Sequence, residues 1–200
     1  MAHPRCKPLT VPAVILWTAL AVPAAWAHEG AAALGGFAAG FMHPLLGWDH
    51  LVAMLAVGLW GAFLGGPATW VLPVAFPLIM AVGGALGVAG LPLPAVEAGI
   101  ASSAIVLGGA VAAALRPPLW IAALLVGAFA ILHGHAHGME LPVAASPLAY
   151  SAGFVLTTGL LHLVGIGIGS FSEWPAGEFT VRLLGVAIAV VGIVFLAGAA

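Results

Sequence analysis

Residues 118–140 read PLWIAALLVGAFAILHGHAHGME. The first fifteen of them, Pro118 to Leu132, carry no charged side chain. The last eight carry three imidazoles and a carboxylate: His133, His135, His137 and Glu140. A helix needs about 20 apolar residues to cross the roughly 30 Å of bilayer hydrocarbon, and this segment has that length. Insertion scales put the cost of a charged group at the centre of a membrane helix at about 2.5–3.5 kcal/mol. Polar groups in such a segment therefore face the protein interior, and each one points to function.

The rest of the chain has the same character. Of its 200 residues, 64% are hydrophobic and 5% are charged, against about 25% charged in soluble domains. Such a chain cannot cover a water-facing surface. It reads as an all-α polytopic membrane protein. Four Lys and Arg residues and a net charge of -2 leave no basic stripe for nucleic acid. The expected partners are the lipid bilayer and a small ligand.

Residues 1–27 read as a cleavable signal peptide: Arg5 and Lys7, an apolar run from Val11 to Val22, then Ala25-Trp26-Ala27 as an A-x-A site. Residues 28–200 then form a single transmembrane domain in a cytoplasmic membrane of bacterial type, with His28 as a periplasmic N-terminus. Cys6, the one cysteine, leaves with the signal. Any metal site must use nitrogen and oxygen.

Six spans are expected, at 41–64, 68–90, 95–115, 118–140, 147–170 and 179–199, packed as a compact bundle. Gly- and Pro-rich breaks separate them. Gly30 to Met42 is too short for a span; it is a lead-in or a half-helix, with a seventh span as the alternative. With six spans, Arg116 and Arg182 both fall on the cytoplasmic side, in line with the positive-inside rule. Glycine pairs at small-xxx-small spacing (Gly61/Gly65, Gly83/Gly87, Gly165/Gly169) favour close packing within one bundle.

Two polar clusters stand out. The first is HPLLGWDH, His43 to His50, which contains Asp49, the only aspartate of the chain. On one continuous helix His43 and His50 would lie about 10.5 Å apart along the axis. A helix opening at Pro44 would let His43 fold back. The second is HGHAHGME. His133, His137 and Glu140 share one helical stripe, and His135 falls on roughly the opposite face. No glutamate follows His133, so the H-E-x-x-H protease pattern is absent.

With the first span running inward and the fourth outward, both clusters lie in the outer half of the membrane. His43, Asp49, His50, His133, His137 and Glu140 would line one cavity. Imidazoles with carboxylates suit Ni(II), Co(II) or Zn(II) better than Mg(II) or Ca(II). Secondary candidates are His28, with its α-amine; Glu97, at the outer start of the third span; His135; and His162. For His162, deeper in the fifth span, a packing role competes with that of a second station or proton carrier.

HPLLGWDH followed by LVAMLAVG (51–58) resembles the first-span signature H-x5-D-H of the HupE/UreJ family of nickel/cobalt transporters. LHGHAHGME (132–140) resembles its fourth-span signature H-G-x-A-H-G-x-E. The resemblance extends over nearly the whole chain. It implies uptake of Ni(II) or Co(II), carried rather than bound permanently, for a downstream metalloenzyme maturation system, and no enzymatic activity. One departure is Leu132, where an aromatic residue is often seen.

The competing reading is a membrane electron-transfer protein with bis-histidine haem, which Asp49 and Glu140 argue against. A membrane hydrolase lacks its G-x-S-x-G. No phosphate-binding loop is present, so active transport would draw on an ion gradient, the membrane potential or a separate subunit.

Overall fold

The computed structural model describes residues 36–141 and 146–198. The signal-peptide reading, Cys6 and His28 lie outside the described residues. Among those residues every regular element is helical: α1 Gly36–Leu46, α2 Trp48–Leu64, α3 Ala68–Val88, α4 Val96–Ala112, α5 Leu119–Met139, α6 Pro147–Gly169 and α7 Pro175–Gly198, with a 3-10 turn, Ser170–Glu173, between the last two. By length and apolarity α3, α5, α6 and α7 can each cross a bilayer, and α1 with α2 can do so as a bent pair. The shorter helix α4 has 17 residues.

The first expected span is not one helix. It breaks at Gly47, and α1 and α2 meet at a bend of 80°. Pro44 continues α1 instead of opening α2. Gly47 is extended, with φ -85° and ψ 101°. Its N–H donates to the His43 carbonyl at 3.2 Å, and its own carbonyl accepts from Leu51 at 2.8 Å. One residue thus closes one helix and starts the next. A Cβ at Gly47 would lie 3.3 Å from both Asp49 Oδ1 and His50 Nδ1, so a larger side chain would crowd that pair. Of the expected lead-in or half-helix at Gly30 to Met42, residues 36–42 belong to the short helix α1, and 30–35 lie outside the described residues. The final helix begins at Pro175, four residues before the expected 179; proline is well suited to the first helical position because its missing N–H has no partner there in any case.

The bundle is built from close pairs: α3 with α5, α4 with α7, and α6 with both α1 and α2. Glycine permits these contacts. A Cβ on Gly134 would strike the Met80 carbonyl, one on Gly83 the Ile131 carbonyl, and one on Gly58 the His162 carbonyl. Gly83/Gly87 and Gly165/Gly169 face neighbouring backbones in this way. Gly65 does not; it has φ 73° and open space around it, so it serves the turn.

The distribution of polarity is that of a membrane bundle. Leu78, Leu124, Leu148 and Phe179 are exposed on the outside, whereas all six described histidines are buried. At one end of the bundle, Arg182 Nε–H donates to the Ala112 carbonyl at 3.0 Å, and Arg116 sits 4.6 Å from the Phe63 ring centroid. The arginines therefore share the end where α2 and α4 finish and α5 starts. The histidines of α2 and α5 occupy the other end.

Candidate metal site

The bend at Gly47 decides the geometry of the first cluster. His43 closes α1, and His50 lies in the first turn of α2. Their ring centroids are 6.2 Å apart, much less than the rise along a continuous helix would allow. From α5, His137 enters between them, 4.8 Å from His43 and 4.3 Å from His50. His133, one turn deeper, is 5.1 Å from His50. Four imidazoles from three helices thus converge. His43, His137 and Glu140 each offer a ligand atom within 4.8 Å of the others. Glu140 stands just past the end of α5, at the rim, with Oε2 3.8 Å from His43 Nε2.

The hydrogen bonds orient the rings. His50 Nδ1 lies 3.0 Å from Asp49 Oδ1, and Asp49 Oδ1 also accepts from the His50 backbone N–H at 2.9 Å. His133 Nδ1 lies 2.9 Å from the Phe129 carbonyl. A carboxylate or carbonyl oxygen can only accept, so in both rings Nδ1 carries the proton. In the neutral rings the Nε2 atoms of His50 and His133 carry lone pairs. Both are buried without a hydrogen-bond partner among the described residues, as are both ring nitrogens of His137. Leaving a buried polar atom unpaired costs about 1–3 kcal/mol, and native structures hold few such atoms. Several together, at one point, could hold a metal ion, with the His50 and His133 rings oriented by their Nδ1 hydrogen bonds.

Asp49 is placed as the partner of His50, at the edge of this constellation. The remaining candidates lie apart from it. His135 points elsewhere: its Nε2–H donates to the Leu91 carbonyl at 2.7 Å, anchoring the connection between α3 and α4. Glu97 is exposed in the first turn of α4. His162 is buried deeper in α6, with Nδ1 3.1 Å from the Pro73 carbonyl.

Residues outside the two motifs complete the walls. Phe154 lies 4.3 Å from the His137 ring and 5.9 Å from His43. Tyr150, one turn earlier on α6, lies 6.0 Å from His43. Phe76 of α3 packs against His133 at 5.5 Å. Tyr150 is the only tyrosine in the chain, and that singularity was the available signal; the phenylalanines carried none. A largely apolar groove of about 220 Å³ between α3, α5 and α6 reaches His137 from the side.

Residues 16–195 match the family described as HupE / UreJ protein. "Protein HupE" of Rhizobium leguminosarum bv. viciae is 45% identical over 181 residues, covering 90% of this chain and 94% of that protein. No solved structure matches. With the family match spanning most of the chain and both histidine motifs built into one end of a helical bundle, the protein belongs to the HupE/UreJ family of membrane transporters, which is associated with nickel and cobalt transport and is not a family of enzymes.

Proposed function

We propose that this protein takes up Ni(II) or Co(II) across the cytoplasmic membrane through the cavity lined by His43, His50, His133, His137 and Glu140, with Asp49 orienting His50. The convergence of buried nitrogens of His50, His133 and His137, without hydrogen-bond partners among the described residues, carries the reading. Neutral imidazole is a good donor for these ions, and the rim carboxylate offsets their charge. Ligand atoms around a first-row ion lie about 3 Å apart, given bonds of about 2.1 Å. The ligand atoms of His43, His137 and Glu140 lie within 4.8 Å of one another, so binding an ion would require them to move closer. The haem alternative calls for a flat slot between two opposed imidazoles; here the four rings pack against one another and against Phe154.

Counting the bent α1–α2 pair and α4 as one crossing each, alongside the four long helices, brings the total to six spans. Arginines at the opposite end from the histidines favour a periplasmic histidine cavity and a cytoplasmic arginine end. Carried inward, the ion would be available to a metalloenzyme maturation system.

Uptake of radiolabelled Ni(II) and Co(II) by cells making the protein tests the function, each ion competed by the other and by Zn(II). Saturable uptake above vector control is expected; none for either ion would sink the proposal. Orientation has its own test. Cysteine placed at Leu115, beside Arg116, is expected to resist a membrane-impermeant thiol reagent in intact cells and to react once the cells are opened. Ready labelling in intact cells would invert the topology.

A further inference from the structure

We propose that His162 of α6, with Thr158 one turn before it, forms a second, inner coordination station for the transported ion, with Phe76 in contact with both His162 and the outer His133; this inference rests on the transport reading above.

His162 is 2% exposed and Thr158 is fully buried. Proline chemistry in α3 sets the orientation of the imidazole. Pro77 has no N–H, so the carbonyl four residues earlier, that of Pro73, loses its helical donor. His162 takes the vacant position, with Nδ1 3.1 Å from the Pro73 oxygen. The carbonyl can only accept, so Nδ1 carries the proton and Nε2 carries the lone pair. That Nε2 is buried and has no hydrogen-bond partner among the described residues, and the same is true of Thr158 Oγ1. The two residues are four apart on one helix, hence on one face and about 6 Å apart along the axis. A packing histidine would be expected to satisfy both nitrogens; this one is tethered through Nδ1 and leaves Nε2 available. His50 and His133 have the same arrangement in the outer cluster.

The position suits an intermediate stop. Phe76, fully buried, touches both sites: its ring centroid is 5.5 Å from His133 and 5.6 Å from His162. The backbone of His162 packs on Gly58 of α2, eight residues beyond His50 and about 12 Å further along that helix. An ion leaving His133 toward the arginine end therefore meets the Phe76 ring and then His162 Nε2, which has no hydrogen-bond partner among the described residues; Thr158 Oγ1 stands one turn nearer the outer end of α6. Crossing the hydrocarbon from the outer cluster with no further ligand would expose the ion to a large desolvation cost.

Two substitutions separate ligation from packing. In His162→Asn the amide stands where Nδ1 was; it can still bond the Pro73 carbonyl, but nothing replaces Nε2. In His162→Gln the amide reaches the Nε2 position and offers an oxygen there, while the Pro73 bond is lost. Initial rates of radiolabelled Ni(II) uptake are compared in cells with equal amounts of full-length protein in the membrane. An inner station predicts that His162→Asn loses about tenfold or more and that His162→Gln retains more than His162→Asn. Ni(II) binding by the purified full-length protein in detergent should stay within about twofold of wild type in His162→Asn, because the outer cluster is distant and intact. A packing role predicts the reverse order. If His162→Asn keeps about half the wild-type rate or more, or if His162→Gln is the weaker of the two, the station is overturned. Failure of the wild-type chain to move either ion would be seen without any variant, and would mark failure of the transport reading itself.

Discussion

His137→Ala is expected to abolish nearly all Ni(II) and Co(II) uptake, and His43→Ala to do the same. His137 touches both His43 and His50, and neither of its nitrogens has another hydrogen-bond partner among the described residues. Loss of a mere outer-shell partner typically costs 10–100-fold in metal affinity or activity, so loss of a direct ligand should reach the order of 100-fold. The double variant should be little worse than either single one, since groups acting on one ion are not additive. Independent hundredfold losses would instead multiply to about ten-thousandfold. Initial uptake rates at equal membrane abundance decide between these outcomes, and multiplying losses would mean that the two motifs form separate sites. His135→Gln serves as the control within the same motif. Its amide can still donate to the Leu91 carbonyl, and it is expected to retain most activity. A His135→Gln protein as inactive as His137→Ala, though equally abundant, would show that His135 has a part in transport that its anchoring bond does not explain.

Asp49→Ala is expected to be as damaging as His50→Ala, by about 10–100-fold, and to add nothing in a His50→Ala background. The reason lies in the 3.0 Å bond from His50 Nδ1 to Asp49 Oδ1. Asp49 holds the ring so that Nε2 points inward, and without the ring it has nothing left to orient. Asp49→Asn keeps an oxygen that can accept the same bond but loses the charge, so it should fall between wild type and Asp49→Ala. Uptake rates of the wild type, Asp49→Ala, His50→Ala and the double alanine variant form a double-mutant cycle. A further tenfold loss on adding Asp49→Ala to His50→Ala would make Asp49 a ligand in its own right.

Much of this architecture is written in the local sequence. The apolar spans and their breaks at Gly and Pro follow from bilayer thickness and backbone chemistry, which act locally. Polar residues amid such spans must face inward, so His43, His50, His133 and His137 stood out by contrast with their neighbours. Helical periodicity separated His135 from His133 and His137, because side chains two residues apart point to different faces.

Contacts distant in sequence settled the remainder. Pro44 and Gly47 are both potential helix breakers, and local chemistry favoured the proline. The helix nevertheless continues through Pro44, where α1 packs on α6 with Gly40 against the Tyr150 carbonyl. It turns at Gly47, the position where a Cβ would crowd Asp49 and His50. That choice brings His43 to His50 and His137. Likewise, the sequence by itself left His162 between packing and function. Its Nδ1 partner, the Pro73 carbonyl, is 89 residues away, and only the packing of α6 against α3 brings the two together. A proline reveals which carbonyl it deprives of a donor; the tertiary structure decides which side chain takes that place, because helix packing determines what lies opposite it.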